Sequence, residues 1–179
     1  MTASVDAVLD GLVRGIEDWP APGVTFRDIT PLLADPAALR ITVDALADMG
    51  RLLADGPIDK VIGIEARGFI FGTPVALALD AGFVPARKMG KLPGETHAVS
   101  YELEYGSETL EIHRDALEPG ERVLVLDDVL ATGGTLKAAN ELVTLSGAEV
   151  AADVVLIELA DLHGRDRIPG VPLGALRTY

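Results

Sequence analysis

The sequence predicts an α/β protein with a central parallel sheet flanked by helices, and three observations predict it. Apolar stretches of strand length at residues 60–64, 83–86, 123–126 and 150–158 alternate with helix-period segments at 69–79 and 135–145. That order is the signature of a parallel sheet covered on both faces. Apolar residues make up 49% of the chain and charged residues 24%, near globular averages, while aromatics at 4% leave Val, Leu, Ile and Ala to fill the interior. A length of 179 residues without a linker-like stretch fits one domain, residues 1–179, large enough for a core without metal or disulfide staples.

Ser4 can cap a first helix, whose apolar positions Val5, Val8, Leu9, Leu12, Val13 and Ile16 follow the 3.6-residue period. Residues 19–31 hold three prolines and a glycine around Val24-Thr25-Phe26-Arg27-Asp28-Ile29-Thr30, which predicts an extended loop with one short strand. Trp19 is assigned to the core. Asp35-Pro36 starts a second helix with Leu39, Val43, Leu46 and Leu53 on its buried side, and Gly56-Pro57 ends the connection before the strand at 60–64. Glu65-Ala66-Arg67-Gly68 then turns into the helix at 69–79, apolar on nearly every side and so expected to be buried. A short strand at 83–86 and a mobile segment at 90–97 lead to a two-stranded ribbon, 99–105 with 108–113, linked by Gly106-Ser107. Gly147 stops the helix at 135–145, and the stretch from Leu162 onward carries no usable motif.

Composition excludes several functions. With no cysteine there is no disulfide, thiolate nucleophile or Cys-ligated metal, which suits a cytoplasmic setting. Neither a signal peptide nor an apolar run long enough to span a membrane is present. A formal charge of −13 argues against nucleic-acid binding, which depends on clustered Lys and Arg. The basic residues that bind an anionic ligand must then be concentrated locally: Arg87, Lys88 and Lys91 fall within five positions, and Arg67 stands in its own turn. His97, His113 and His163 are scattered, with no metal-ligand spacing and no triad.

Residues 123–135 read Val-Leu-Val-Leu-Asp-Asp-Val-Leu-Ala-Thr-Gly-Gly-Thr. The apolar run is a buried strand, so Asp127 and Asp128 are expected at its carboxyl end, where open α/β sheets bind ligands. Small residues Ala131, Thr132, Gly133, Gly134 and Thr135 let successive N–H groups turn toward one oxyanion at a helix N-terminus. An ordinary strand-to-helix connection capped by Thr132 or Thr135 is the plainer reading. It does not explain two acids, two hydroxyls and two glycines within nine residues. The pattern is neither a Walker A loop nor a dinucleotide-binding fingerprint: residues 63–68 have the Gly-x-x-x-x-Gly frame but continue with Phe69. A phosphosugar site fits best.

With these residues in view, the chain resembles the adenine phosphoribosyltransferases, a branch of the type I phosphoribosyltransferase family, from about residue 23 to residue 158. The resemblance rests on Phe-Arg-Asp-Ile-Thr-Pro at 26–31, Glu-Ala-Arg-Gly at 65–68, Arg-Lys-Met-Gly-Lys-Leu-Pro-Gly-Glu-Thr at 87–96, Ser-Tyr-Glu-Leu-Glu-Tyr-Gly at 100–106, and the motif at 123–135. It implies the type I phosphoribosyltransferase fold with a small flexible hood and a β-ribbon. The implied activity, a step of purine salvage, is transfer of the phosphoribosyl group from 5-phosphoribosyl-1-pyrophosphate to N9 of adenine, giving AMP and pyrophosphate with Mg²⁺. It also implies a homodimer in which the Arg87 region lies near the partner's site.

Carried over position by position, the resemblance gives Ala131, Thr132, Gly133, Gly134 and Thr135 the 5′-phosphate, and Asp127 and Asp128 the ribose hydroxyls. Mg²⁺ is held mainly through substrate, with Asp127 or Asp128 as the protein-side candidate. Arg67, Arg87, Lys88 and Lys91 are the candidates for pyrophosphate, Arg67 also as a catalytic residue. Main-chain atoms of Thr25 and Arg27 read adenine, with Phe26 and Leu130 as apolar walls. Glu104 is the general acid/base on a purine ring nitrogen, where spacing alone reads it as a solvated ribbon charge. Tyr105 closes over the site as part of the hood. An enzyme for 6-oxopurines wants a side-chain donor near O6, yet no Lys or Arg occurs between Val150 and Gly164, which favours adenine. Two alternatives stay open: a phosphoribosyltransferase for another purine, and a non-catalytic regulator that keeps the phosphosugar site as a sensor.

Overall fold

Ser4 opens helix α1 (Val5–Leu12) by accepting a hydrogen bond from the Ala7 N–H, and the helix buries Val8 and Leu9. The structure, a computed structural model, describes residues 4–102 and 106–179. It divides into two units, Met1–Ala45 and Leu46–Tyr179.

In the first unit the helix ends before its apolar period does. Val13 is already extended, and Arg14–Ile16 form β1, antiparallel to β2 (Phe26–Asp28). Strand pairing overrides the helical placement expected for Val13 and Ile16, and Ile16 is exposed. Trp19 is also not a core residue: it is 53% exposed and meets the Phe26 ring edge-on at 4.5 Å between centroids. A short helix, α2 (Thr30–Ala34), follows with Pro31 in its first turn. Asp35 Oδ1 then accepts from the N–H groups of Ala37 and Ala38 and opens α3 (Pro36–Ala54), inside which the unit boundary falls.

The second unit contains β3 (Lys60–Ile64), α4 (Arg67–Leu79), β4 (Gly82–Lys88), β5 (Thr96–Glu102), β6 (Ser107–His113), β7 (Arg122–Leu130), α5 (Gly134–Leu145), β8 (Glu149–Glu158) and β9 (Leu173–Thr178). They build a seven-stranded sheet in the order β5-β6-β4-β3-β7-β8-β9. Strands β4, β3, β7, β8 and β9 run parallel, while β5 and β6 are antiparallel. The ribbon is thus an extension of the main sheet, because β4 runs on past Ala86 and pairs Arg87 with Glu111 and Lys88 with Leu110 of β6. The C-terminal stretch forms two 3₁₀ turns, Ala160–Leu162 and Gly164–Arg167, before β9 completes the far edge.

Alternation along β7 sends its side chains to both faces. Val123 and Val125 join the cluster that contains Leu136, Ala139, Leu142 and Val143 of α5, while Leu124 packs against Gly50 of α3. Pairing of β7 with β3 ends at Leu126 opposite Gly63, but pairing with β8 continues to Leu130 opposite Glu158. Asp127 and Asp128 therefore lie within the strand, beyond the end of β3, and not after the strand's own end as expected. On α4, Phe71, Gly72, Val75 and Ala76 are buried, but Ile70 and Leu77 are 42% and 77% exposed, so the helix is covered on one side only. Among the described residues no helix is long and apolar enough to cross a membrane.

Asp153 of β8 is fully buried and accepts a 2.8 Å hydrogen bond from Asn140 Nδ2 of α5. Burial pushes its carboxyl up to about 7. Asp153 Oδ1 and Asn140 Oδ1 otherwise have no partner, so a proton on the carboxyl can satisfy both at once. An aspartate with a folded pKa above its unfolded value loses stability as pH rises between the two, here from 3.8 to about 7, with no further loss above. Raising the pH from 6 to 8 should cost the native protein about 1 kcal/mol more than it costs Asp153→Asn. Denaturant unfolding at both pH values checks this, and parallel losses would refute it.

Candidate active site

The acidic pair is built by the overrun of β7. Asp128 is 4% exposed, and its N–H donates to Asp127 Oδ1 at 2.8 Å. At the start of α4, Arg67 places its Nε 2.8 Å from Asp128 Oδ2. Gly68 makes that approach possible, because a Cβ there would stand 2.9 Å from the Leu126 carbonyl oxygen and 3.1 Å from Asp127 Oδ1. Burial raises both carboxyls above their ordinary range, Asp127 further because it also faces the charge of Asp128, while Arg67 restrains Asp128. Such a pair is suited to accept hydrogen bonds from ligand hydroxyls or to join a cation.

After Leu130 the chain passes through Ala131 and Thr132 to Gly133, which caps α5 in the left-handed region at φ 81° without a side-chain capping bond. Gly134 and Thr135 form the helix's first turn, so amides at this end are oriented for an anion. The conformation is braced from behind by Gly164, a residue absent from the sequence-based candidates. A Cβ on Gly133 would collide with the Gly164 carbonyl, and a Cβ on Gly164 would collide with the Ala131 carbonyl. The only local signal was a glycine following His163; its partner lies more than thirty residues away. Leu130, expected as an apolar wall, is 2% exposed and lies beneath Gly164.

Strand β5 closes the other side of the loop. The Glu102 carbonyl oxygen and the Tyr101 ring would stand 3.2 and 3.3 Å from a Cβ on Gly134. The Tyr101 hydroxyl donates to Glu108 Oε2 at 3.0 Å with the Thr135 hydroxyl beside it, and burial raises its pKa. A cavity of about 650 Å³ opens here, lined by Ser100, Tyr101, Gly134, Lys137 and Arg167 among others. Glu104 and Tyr105 lie outside the described residues.

Three of the four basic candidates gather around Glu65. Its carboxylate accepts from Arg87 Nε and Nη2, both at 3.2 Å, and from the Lys88 N–H at 2.9 Å, and Arg87 is the leading cause that holds the group below its ordinary range. Lys91 is close enough to act on the same carboxylate, while Lys88 Nζ reaches Glu108 at 2.6 Å. Glu65 belongs to the Glu-Ala-Arg-Gly segment but was not singled out, because its partners come from a different strand. Arg67, Arg87 and Lys88 are thus each held by a carboxylate: the cations are part-exposed, while the carboxylates range from the nearly buried Asp128 to the more open Glu108.

In the first unit, Phe26 and Arg27 lie in β2, with Thr25 immediately before them. Among the described residues, no group of three or more His, Asp or Glu side chains is arranged to hold a metal.

A family profile described as the phosphoribosyl transferase domain matches residues 29–170. The adenine phosphoribosyltransferase of Nocardioides sp. is 58% identical over 168 residues, covering 93% of this chain and 91% of that protein. The crystal structure of adenine phosphoribosyltransferase from Thermoanaerobacter pseudethanolicus matches with a TM-score of 0.91 at 42% identity, covering 98% of this chain and 100% of that one. The Saccharomyces cerevisiae enzyme, solved with adenine and an imino-altritol bisphosphate, matches with a TM-score of 0.91 at 37% identity, covering 96% and 98%.

Gly164→Ala should displace the Ala131 carbonyl and misalign the amides behind it. Affinity for ribose 5-phosphate, measured by calorimetry, is expected to fall at least tenfold, roughly 1.4 kcal/mol. Wild-type affinity in a folded variant would show that the brace is dispensable.

Proposed function

The chain belongs to the adenine phosphoribosyltransferase family, and from that premise we propose that it transfers the phosphoribosyl group of 5-phosphoribosyl-1-pyrophosphate to N9 of adenine in the cytoplasm, releasing AMP and pyrophosphate. The observation that carries the reading is the sheltered Asp127–Asp128 pair, Asp128 buried and tied to Arg67, on a strand that leads through the short Ala131–Gly133 turn into α5. In this reading the whole chain works as one phosphoribosyltransferase domain. Amides of Ala131, Thr132, Gly133, Gly134 and Thr135 hold the 5′-phosphate, and Asp127 and Asp128 accept the ribose hydroxyls. Arg67, Arg87, Lys88 and Lys91 receive pyrophosphate after leaving their carboxylate partners.

As adenine N9 bonds to the anomeric carbon, the bond from that carbon to the pyrophosphate oxygen breaks and a ring-nitrogen proton passes to Glu104. The cationic side chains stabilise the charge on the departing oxygen. Tyr105 shields the reacting carbon from water. The two-carboxylate donor set fits Mg²⁺ bound mainly through substrate, with Asp127 or Asp128 as protein ligand; the ion would neutralise charge on the phosphates. The base is read by main-chain atoms of Thr25 and Arg27, with Phe26 as an apolar wall.

Adenine is favoured over a 6-oxopurine because no Lys or Arg lies between Val150 and Gly164. The first beyond that span, Arg165, is occupied by Glu158 at 2.6 and 2.9 Å and by the Leu173 carbonyl at 2.7 Å. A homodimer is supported by the exposed apolar side of α4, where Ile70 and Leu77 lack cover.

Purified protein given 5-phosphoribosyl-1-pyrophosphate, Mg²⁺ and adenine should form AMP, at least about a hundredfold faster than it converts hypoxanthine, guanine or xanthine. No AMP, or equal turnover of a 6-oxopurine, would overturn the reading. In the same assay Glu104→Gln should lower turnover about a hundredfold with little effect on substrate KM, and a wild-type rate would remove its role. Light scattering should give a dimeric mass that Leu77→Glu reduces to a monomer; a monomeric wild type would end the dimer assignment.

A further inference from the structure

The strand assigned to base recognition is short, three residues long, and its sheet has only two strands. Hydrogen bonding within so small a ribbon fixes little on its own. Asp28, the last residue of β2, is nonetheless 6% exposed, and its carboxylate gathers partners from two other segments. Its Oδ1 accepts from the Thr30 N–H at 2.9 Å and lies 2.7 Å from the Thr30 hydroxyl. Its Oδ2 takes Arg14 Nε at 3.0 Å and Nη2 at 2.5 Å. Arg14 is the residue paired with Asp28 across the β1–β2 ladder, and its Nη2 also reaches Thr30 Oγ1 at 3.3 Å.

One carboxylate thus joins three pieces of backbone: β1 through Arg14, β2 through its own main chain, and the start of α2 through Thr30. It replaces the missing side-chain cap of α2, since Ile29 at the N-cap position supplies none. The Thr30 bonds, followed by Arg14, hold the carboxyl down to about 2, so Asp28 stays charged and the knot stays tied at any pH where the protein works. Trp19 braces Phe26, the first residue of the strand, from its opposite end.

Resting on the adenine-reading role of Thr25 and Arg27, we propose that Asp28 is a positioning residue for base recognition, fixing the direction of their main-chain donors and acceptors without touching the base. Main-chain recognition has no rotamer with which to compensate for a tilt. A few tenths of an ångström at Asp28 therefore reach the base as misaligned hydrogen bonds. The residues proposed for the phosphosugar belong to the second unit, so this assignment requires that variants of the knot leave them unaltered.

Steady-state kinetics on Asp28→Asn and Arg14→Met test the assignment. Asp28→Asn keeps the shape but loses the charge that gathers Arg14 and Thr30. It should raise the KM for adenine tenfold or more, leaving kcat and the KM for 5-phosphoribosyl-1-pyrophosphate within twofold. Arg14→Met removes the exposed partner only, and should raise the adenine KM about threefold with the same selectivity; it carries the test alone if Asp28→Asn does not fold. An unchanged adenine KM, a parallel rise in both KM values, or a loss confined to kcat would overturn the proposal. Failure of the wild type to form AMP strikes the functional reading, whereas an active wild type whose variants lack the base-specific shift removes only the role of Asp28.

Discussion

The arrangement of the second unit follows from one mismatch in strand length: β7 continues along β8 after its other neighbour, β3, has ended. A strand held on both sides is buried and needs apolar residues; the same strand held on one side can carry polar groups that are sheltered yet reachable from the open flank. Val123 to Leu126 meet the first condition, and Asp127 and Asp128 the second. Where β3 stops, its chain turns into Glu65 and Arg67, so the guanidinium that answers the carboxylates is delivered by the same termination that exposes them. Ligand sites at the carboxyl ends of strands arise from this geometry without any dedicated insertion.

Electrostatics then resolve the conflict between an acidic chain, with a net charge of −13, and a highly anionic substrate. Arg67, Arg87 and Lys88 are held in internal pairs with Asp128, Glu65 and Glu108. Each pair keeps a part-exposed, flexible cation oriented. In the proposed reading substrate binding is an exchange of anions at these cations, and charge complementarity between ligand and protein is a local property of the loops.

Much of this was legible in the sequence, and the gaps share a cause. The strand at 60–64 and the helix at 135–145 agree with the structure almost to the residue, because apolar runs bounded by turn residues are local signals. Asp127, Asp128 and the glycine loop were legible because acids, hydroxyls and glycines crowd one segment. The overrun of β7 was not, since register depends on where a neighbouring strand ends. Gly164, Glu65 and Asp28 were missed as structural determinants because each acts on residues remote in sequence or through a side-chain knot. Apolar periodicity also misled at Val13 and Ile16, where pairing with β2 competed, and residue type misled at Trp19, which meets the half-buried Phe26 ring from the surface.

The contact between Gly164 and the Ala131–Gly133 segment has a consequence for how the protein is made. On the ribosome, the loop and helix α5 emerge well before residue 164, and β9, which anchors the segment behind it, follows later still. The stretch that is contiguous in the gene can fold early, but the Ala131–Gly133 turn acquires its backing only once residue 164 has been made, so a chain halted before that point carries the motif without its brace.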